Sequence, residues 1–237
     1  MYALGRMMTA FVKQSLSISV GICLIALSTN LSAQIDVKLV GGVGLSHIKS
    51  TWDPINTEFS THPAFSGSLG AEIDLPSQNS FSYGFGLFVN QYTGLEKSYN
   101  EQLAPNQNVF VNSEYTENIT ALGIPVFARL NVEKISVNVG LRTDFIVSAQ
   151  GKQVLDIKTE TFIGPTQKND HSESETTKSI SGLSSVILGF DGGVNYQLTD
   201  DFSIGINALL GLTNLVPDAV YEKYINQFTL RSAYTLK

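Results

Sequence analysis

Few residues in this chain have side chains suited to covalent chemistry, and the three histidines come first. His47, His62 and His171 carry imidazoles that titrate near neutral pH and serve, where a partner is supplied, as general bases. None has a partner at a catalytic spacing: the sequence holds no Gly-x-Ser-x-Gly elbow, no His-Glu-x-x-His and no phosphate-cradling glycine loop. Asp170, His171, Glu173 and Glu175 place ligand atoms close together, yet a solvated acidic segment gathers a cation only weakly. The expectation is no catalytic residue, no metal and no cofactor. Asn118-Ile119-Thr120 matches a glycosylation acceptor, but at a strand start it says nothing. A second set is more telling. Glu72, Arg129, Arg142, Asp144, Asp191 and Arg231 each stand on the polar side of an apolar, alternating stretch, and the chemistry open to them is pairing with one another.

The elements that must position these charges are strands. From Ile119 to Val147 the sequence reads as two long strands joined by a polar turn at 131–134. Ile135, Val137, Val139, Leu141, Thr143, Phe145 and Val147 fall on one face, and Ser136, Asn138, Gly140, Arg142 and Asp144 on the other. That period of two is the mark of a strand with two different sides. Soluble strands run about five or six residues and a tilted membrane strand about nine to eleven; these have the membrane length. The same alternation recurs at 35–46, 65–75, 81–90, 185–196, 202–212 and 228–236, which makes eight strands. Pro125 lies inside the fourth, where a closed sheet has no free edge, so a bulge or a lost ladder bond is expected there.

Between the strands, 47–62, 94–117 and 148–181 read as long polar loops, and 213–224 as one of medium length. The turns at 76–80, 131–134 and 198–201 are short. Every short connection then falls at one end and every long one at the other, the asymmetry of a transmembrane β-barrel with short periplasmic turns and long outer loops. The charge-rich run 168–175 is expected to be solvated and mobile, and all three histidines fall in the outer loops.

Residues 1–33 have the layout of a secretory signal: Arg6 and Lys13, an apolar run from Leu16 to Leu27, then a small-residue site ending at Ala33. Its removal takes Cys23 with it and leaves 34–237 as one barrel domain, 204 residues without a possible disulfide. The remaining 13 basic and 21 acidic residues give a net charge of −8, which argues against nucleic acid as a partner.

Alternation alone does not say which face looks inward. A soluble lipocalin-like barrel holding an apolar ligand would bury the greasy face. The opposite face here is Gly, Ser and Asn with scattered charge, better suited to a tight lumen than to bulk water. Aromatics on the apolar face also gather at two levels, Phe81, Tyr83, Tyr196, Phe202 and Tyr234 near the turns and Phe65, Phe145 and Phe228 near the loops, as interfacial girdles do. The reading is an all-β, eight-stranded antiparallel up-and-down barrel in a bacterial outer membrane, its lumen plugged by the six charges. The soluble ligand-binding barrel and a lipid-modifying enzyme using His47 or His62 at the rim are the alternatives.

Leu122-Gly123-Ile124-Pro125-Val126 followed by Val137-Asn138-Val139-Gly140-Leu141, with Gly205-Ile206-Asn207-Ala208-Leu209-Leu210-Gly211-Leu212-Thr213-Asn214-Leu215 later, resembles the PorT-like outer-membrane β-barrel domain family. The resemblance implies an eight-stranded outer-membrane barrel of unassigned role and carries over no catalytic residue. Its named member is associated with a protein-secretion system. The partners expected are outer-membrane lipid and other outer-membrane or secretion-machinery proteins, around a monomeric barrel.

Overall fold

The structure, a computed structural model, describes residues 35–51, 58–76, 80–163, 166–217, 219 and 221–236. The proposed signal at 1–33 lies outside the described residues. Nine strands follow in order: β1 (Asp36–Ser50), β2 (Glu58–Pro76), β3 (Phe81–Ala104), β4 (Gln107–Val132), β5 (Ile135–Ile163), β6 (Thr166–Ser179), β7 (Val186–Gln197), β8 (Phe202–Gly211) and β9 (Lys223–Leu236). Each neighbouring pair is antiparallel. Eight of them close a ring, β1-β2-β3-β4-β5-β7-β8-β9 and back to β1, while β6 lies outside it, paired with β5. Closure is made by the chain ends: Val37 stands across from Leu236 and Ser50 across from Lys223.

The apolar stripe faces outward. Val137, Val139 and Leu141 are 45%, 65% and 57% exposed, whereas Asn138 and Arg142 on the opposite face are 4% and 5%. This is the reverse of a soluble ligand-binding barrel, and that alternative falls. The exterior aromatics form the two levels expected: Phe202 pairs with Tyr234 near the turns, and Leu45 lies between Phe65 and Phe228 in one row near the other end. Each strand of the ring is paired on both sides, which is the condition for crossing hydrocarbon with strands.

Three of the expected loops are largely strand. β3 and β4 continue through 94–117 to a tight reversal at Pro105-Asn106, and β5 pairs with β6 across 148–181. The charged run 168–175 is thus part of a paired strand, with its side chains in water. His47 and His62 lie on β1 and β2, and His171 on β6. Above the apolar belt both faces of these strands meet water, so the apolar-polar alternation that reveals a half-buried strand disappears. The ladder continues because its register is already set below.

Against β3, pairing passes from Phe85–Val126 to Phe88–Gly123 without a change of register, so Pro125 costs local ladder contacts and produces no bulge. Register shifts at two other places: between Pro63 and Gly67 where β2 meets β3, and where Thr120 faces Ser148 and Ala121 faces Ile146, leaving Val147 as the extra residue of β5.

Candidate functional site

All six charges named from the sequence lie inside the barrel, and the structure brings them together in two networks. In the lower one Glu72 accepts from Arg129, with Nη2 to Oε2 at 2.8 Å, and from Arg231. Asp74 accepts from Arg129 and from Lys38, the latter at 2.6 Å. Lys38 and Asp74 are on adjacent strands, but the arginine partners are not: β3 lies between Arg129 and the two carboxylates, and β1 between Glu72 and Arg231. Gly86 of β3 and Gly42 of β1 leave the space, since a Cβ there would come within 3.3 Å of Glu72 Cγ and 3.4 Å of Arg231 Cγ. The two guanidinium groups lie over Phe127 and Phe88, 4.7 and 5.3 Å from the ring centroids, a favourable arrangement for a desolvated cation.

In the upper network Arg142 donates to Asp144 through Nε at 2.9 Å and to the Tyr92 hydroxyl at 2.9 Å. The same hydroxyl donates to Asp144, which also accepts from Asn90 Nδ2 at 3.1 Å. Asn207 ties the two networks together by accepting from Arg231 at 3.2 Å and donating to Asp191. Glu72, Asp74, Asp144 and Asp191 are thereby matched by Lys38, Arg129, Arg142 and Arg231, so the charge of the two networks sums to zero. A buried charge without its counterion would be strongly unfavourable. Lys38, Asp74 and Tyr92 were not among the six; Lys38 and Asp74 sit at polar positions of alternating strands and were visible there, whereas Tyr92 lies beyond the end of the clear pattern.

Above these networks the lumen turns apolar, which the sequence did not suggest. Ile48, Tyr92, Ile119, Ala121, Ile187, Leu209, Leu215 and Ile225 form a buried cluster. Leu215 comes from the β8–β9 connection, held there because its N–H donates to Lys223 O at 2.8 Å and its carbonyl accepts from Ser184 N–H at 2.7 Å. A third ionic group covers the cluster: Lys223 Nζ lies 2.7 Å from Glu96 and 2.9 Å from Glu117, and 5.8 Å from the Tyr115 ring. Burial pushes the Glu117 carboxyl above the usual carboxylate range, against the pull of Lys223. Burial opposes charge on Lys223 too, but Glu117 and Glu96 outweigh it and hold its pKa above the ordinary lysine value. Beside Glu72, Arg129 and Arg231 a cavity of about 20 Å³ remains, room for roughly one water.

The histidines have partners the sequence did not reveal. His47 Nε2 is 2.8 Å from Thr61 Oγ1, His62 Nε2 is 3.0 Å from Ser60 Oγ, and His171 Nε2 is 2.7 Å from Asp156 Oδ1. Burial holds His47 below its ordinary value, with Lys49 and His62 adding to the effect. A nucleophile, its base and an orienting acid are not assembled by these contacts: His62 has a serine without a carboxylate, His171 a carboxylate without a hydroxyl. The acidic run is divided as well. Asp170 pairs with Lys168 on one face, at 3.0 Å, while Glu173 and Glu175 alternate onto the other.

Neither a protein-family model nor a curated protein matches this sequence. Among solved structures, the chain is similar to Ail, the attachment invasion locus protein of Yersinia pestis, at 11% identity and TM-score 0.38 over 86% of this chain and 99% of that one. Neisserial surface protein A is similar at 10% and 0.37, over 84% and 97%, and OprG of Pseudomonas aeruginosa at 9% and 0.36, over 87% and 99%. The assignment rests on the ring of pairings and on the exposure pattern themselves. An antiparallel ring with a greasy exterior of membrane length, two aromatic levels and a charge-balanced lumen is an outer-membrane β-barrel.

Proposed function

We propose that this barrel is a non-enzymatic surface protein whose projecting sheet is its working part, a contact surface for another macromolecule in adhesion or in assembly at the outer membrane. The observation that carries this reading is the reach of β3, β4 and β5 beyond the belt. The unbroken outward apolar run of β3 ends at Val89, with Gln91 and Thr93 next, yet the strand continues to Ala104, about 50 Å further along the chain direction. β2 and β6 widen the sheet on either side. The filled lumen argues against solute passage, and the separated histidine contacts argue against lipid chemistry at the rim. The resemblance at 122–126 and 137–141 supports membership of a PorT-like group, and with it a secretion machine as the assembly served.

The reading is tested by placing a photo-crosslinking amino acid at Glu101 or Lys158 on the projecting sheet, and at Leu69 or Leu141 on the belt, in the full chain in living cells. Discrete protein adducts from the first pair and lipid adducts from the second are expected. Sheet positions that yield no protein adduct would overturn it.

A further inference from the structure

The junction between β5 and β7 leaves one strand half-paired. β7 pairs with β5 only from Ile135–Tyr196 up to Phe145–Val186, so above Phe145 that side of β5 needs another partner. β6 supplies it, from Gln150–Ser179 to Ile163–Thr166, without a shift of register. Among the described residues nothing pairs with the far side of β6, which ends the sheet. Open edges are usually blunted by charge, proline, a bulge or a cover. Among the described residues of Thr166–Ser179 only charge is present, Lys168, Asp170, Glu173, Glu175 and Lys178, which repels like-charged strands and leaves the edge open to one of complementary charge.

The direction of the free groups follows from the ladder. Ile180 donates its N–H to Ala149 O at 3.1 Å, and in an antiparallel ladder such bonds recur at every second residue. Even-numbered residues of β6 therefore bond to β5, and odd-numbered ones turn N–H and C=O outward. The side chains of those outward residues share one face, and it is acidic: Glu175 is held by Lys152 at 3.0 Å, His171 by Asp156, and Glu173 stands directly across from Asp156. Like charges placed opposite each other in a sheet are unfavourable, and among the described ion pairs His171 serves Asp156 and Lys152 serves Glu175 while none serves Glu173.

We propose that the open edge of β6 receives an extended segment of another polypeptide by strand addition, a segment with basic residues at alternate positions that meet Glu173 and Glu175. Backbone bonds to the odd-numbered residues supply affinity and the alternating charges supply register. A second copy of this chain does not fit: two barrels in one membrane hold their β6 strands parallel, and each would present the same carboxylates to the other. The proposal rests on the projecting sheet being the contact surface and names the chemistry it takes.

The test uses the full-length protein in detergent and ten-residue peptides alternating Lys with Thr, alternating Glu with Thr, and the Lys-Thr peptide N-methylated at every second residue. The Lys-Thr peptide is expected to bind at least tenfold more tightly than either control, and to slow hydrogen exchange at odd-numbered β6 amides at least tenfold. Thr177→Pro, which removes one outward N–H and leaves the ladder to β5, and Glu173→Lys should each weaken binding about tenfold while the barrel signal stays unchanged. Equal binding of the methylated peptide, no added protection at the odd-numbered amides, or self-association in place of peptide binding would overturn the proposal. If crosslinks at Glu101 and Lys158 persist in that event, only the edge inference has failed; if they are absent too, the contact reading fails with it.

Discussion

At the scale of single residues, the most consequential group is Lys223, one ammonium set between two carboxylates. Glu117 is the member that burial disfavours as an ion, so its carboxyl is raised. The folded state then binds a proton that the unfolded state gives up sooner, and stability grows as pH falls from neutrality through the raised value. Lys223, also raised, stabilises the fold below the ordinary lysine range and loses that contribution as pH climbs through its folded value. Glu117→Gln should therefore raise the thermal unfolding temperature at pH 7.5 and flatten the difference between pH 7.5 and pH 5, read by circular dichroism in detergent. Lys223→Met should destabilise at pH 7.5 by about 3 kcal/mol, since two carboxylates are left facing each other. The inward direction of Arg129, Arg142 and Glu72 was legible because each interrupts an apolar alternation. The pairing of Arg129 with Glu72 was not, because it joins strands one apart in the ring and depends on the stagger between them. Glu96, Glu117 and Lys223 lay in segments without period, so no face could be assigned to them.

At the scale of elements, the sequence shows a strand only where its two sides differ. The belt segments of β1 to β5 and β7 to β9 were readable to within a residue or two for that reason. The upper halves of β3, β4 and β5, all of β6, and the upper ends of β1, β2 and β9 lack a sustained apolar-polar alternation and so look like loops in the sequence. Ile187 and Leu209 show the converse, apolar residues at lumen positions whose meaning depends on the Leu215 plug that meets them. Turns carry their own stress. The reversal between β4 and β5 puts Glu133 at a φ of 51°, a left-handed conformation that a residue with a Cβ adopts at a cost of roughly 1 kcal/mol. Glu133→Gly should relieve it, raising the unfolding midpoint by an amount corresponding to about 0.5 kcal/mol once glycine's greater unfolded freedom is subtracted. An unchanged or lower midpoint would show that the turn is not strained.

At the scale of the whole molecule, the lumen is filled in three layers: the balanced lower and upper networks, the Ile48–Leu215–Ile225 cluster, and the Lys223 group above. An eight-stranded ring is about wide enough for its own side chains and little else. The purified protein in a planar bilayer should show no steady conductance in molar salt, and Leu215→Gly combined with Arg142→Ala is the variant expected to introduce transient openings. A stable conductance from the unaltered chain would mean that the layers part in the membrane.

The pairing of Val37 with Leu236 also sets an order of events during biogenesis. The first and last strands are joined to each other, so no shorter nascent piece can seal the cylinder, and two naked ladder edges persist until the carboxyl-terminal strand is delivered. Exposed ladder edges of this kind are the aggregation-prone stage of folding, and here that stage lasts until β9 pairs with β1.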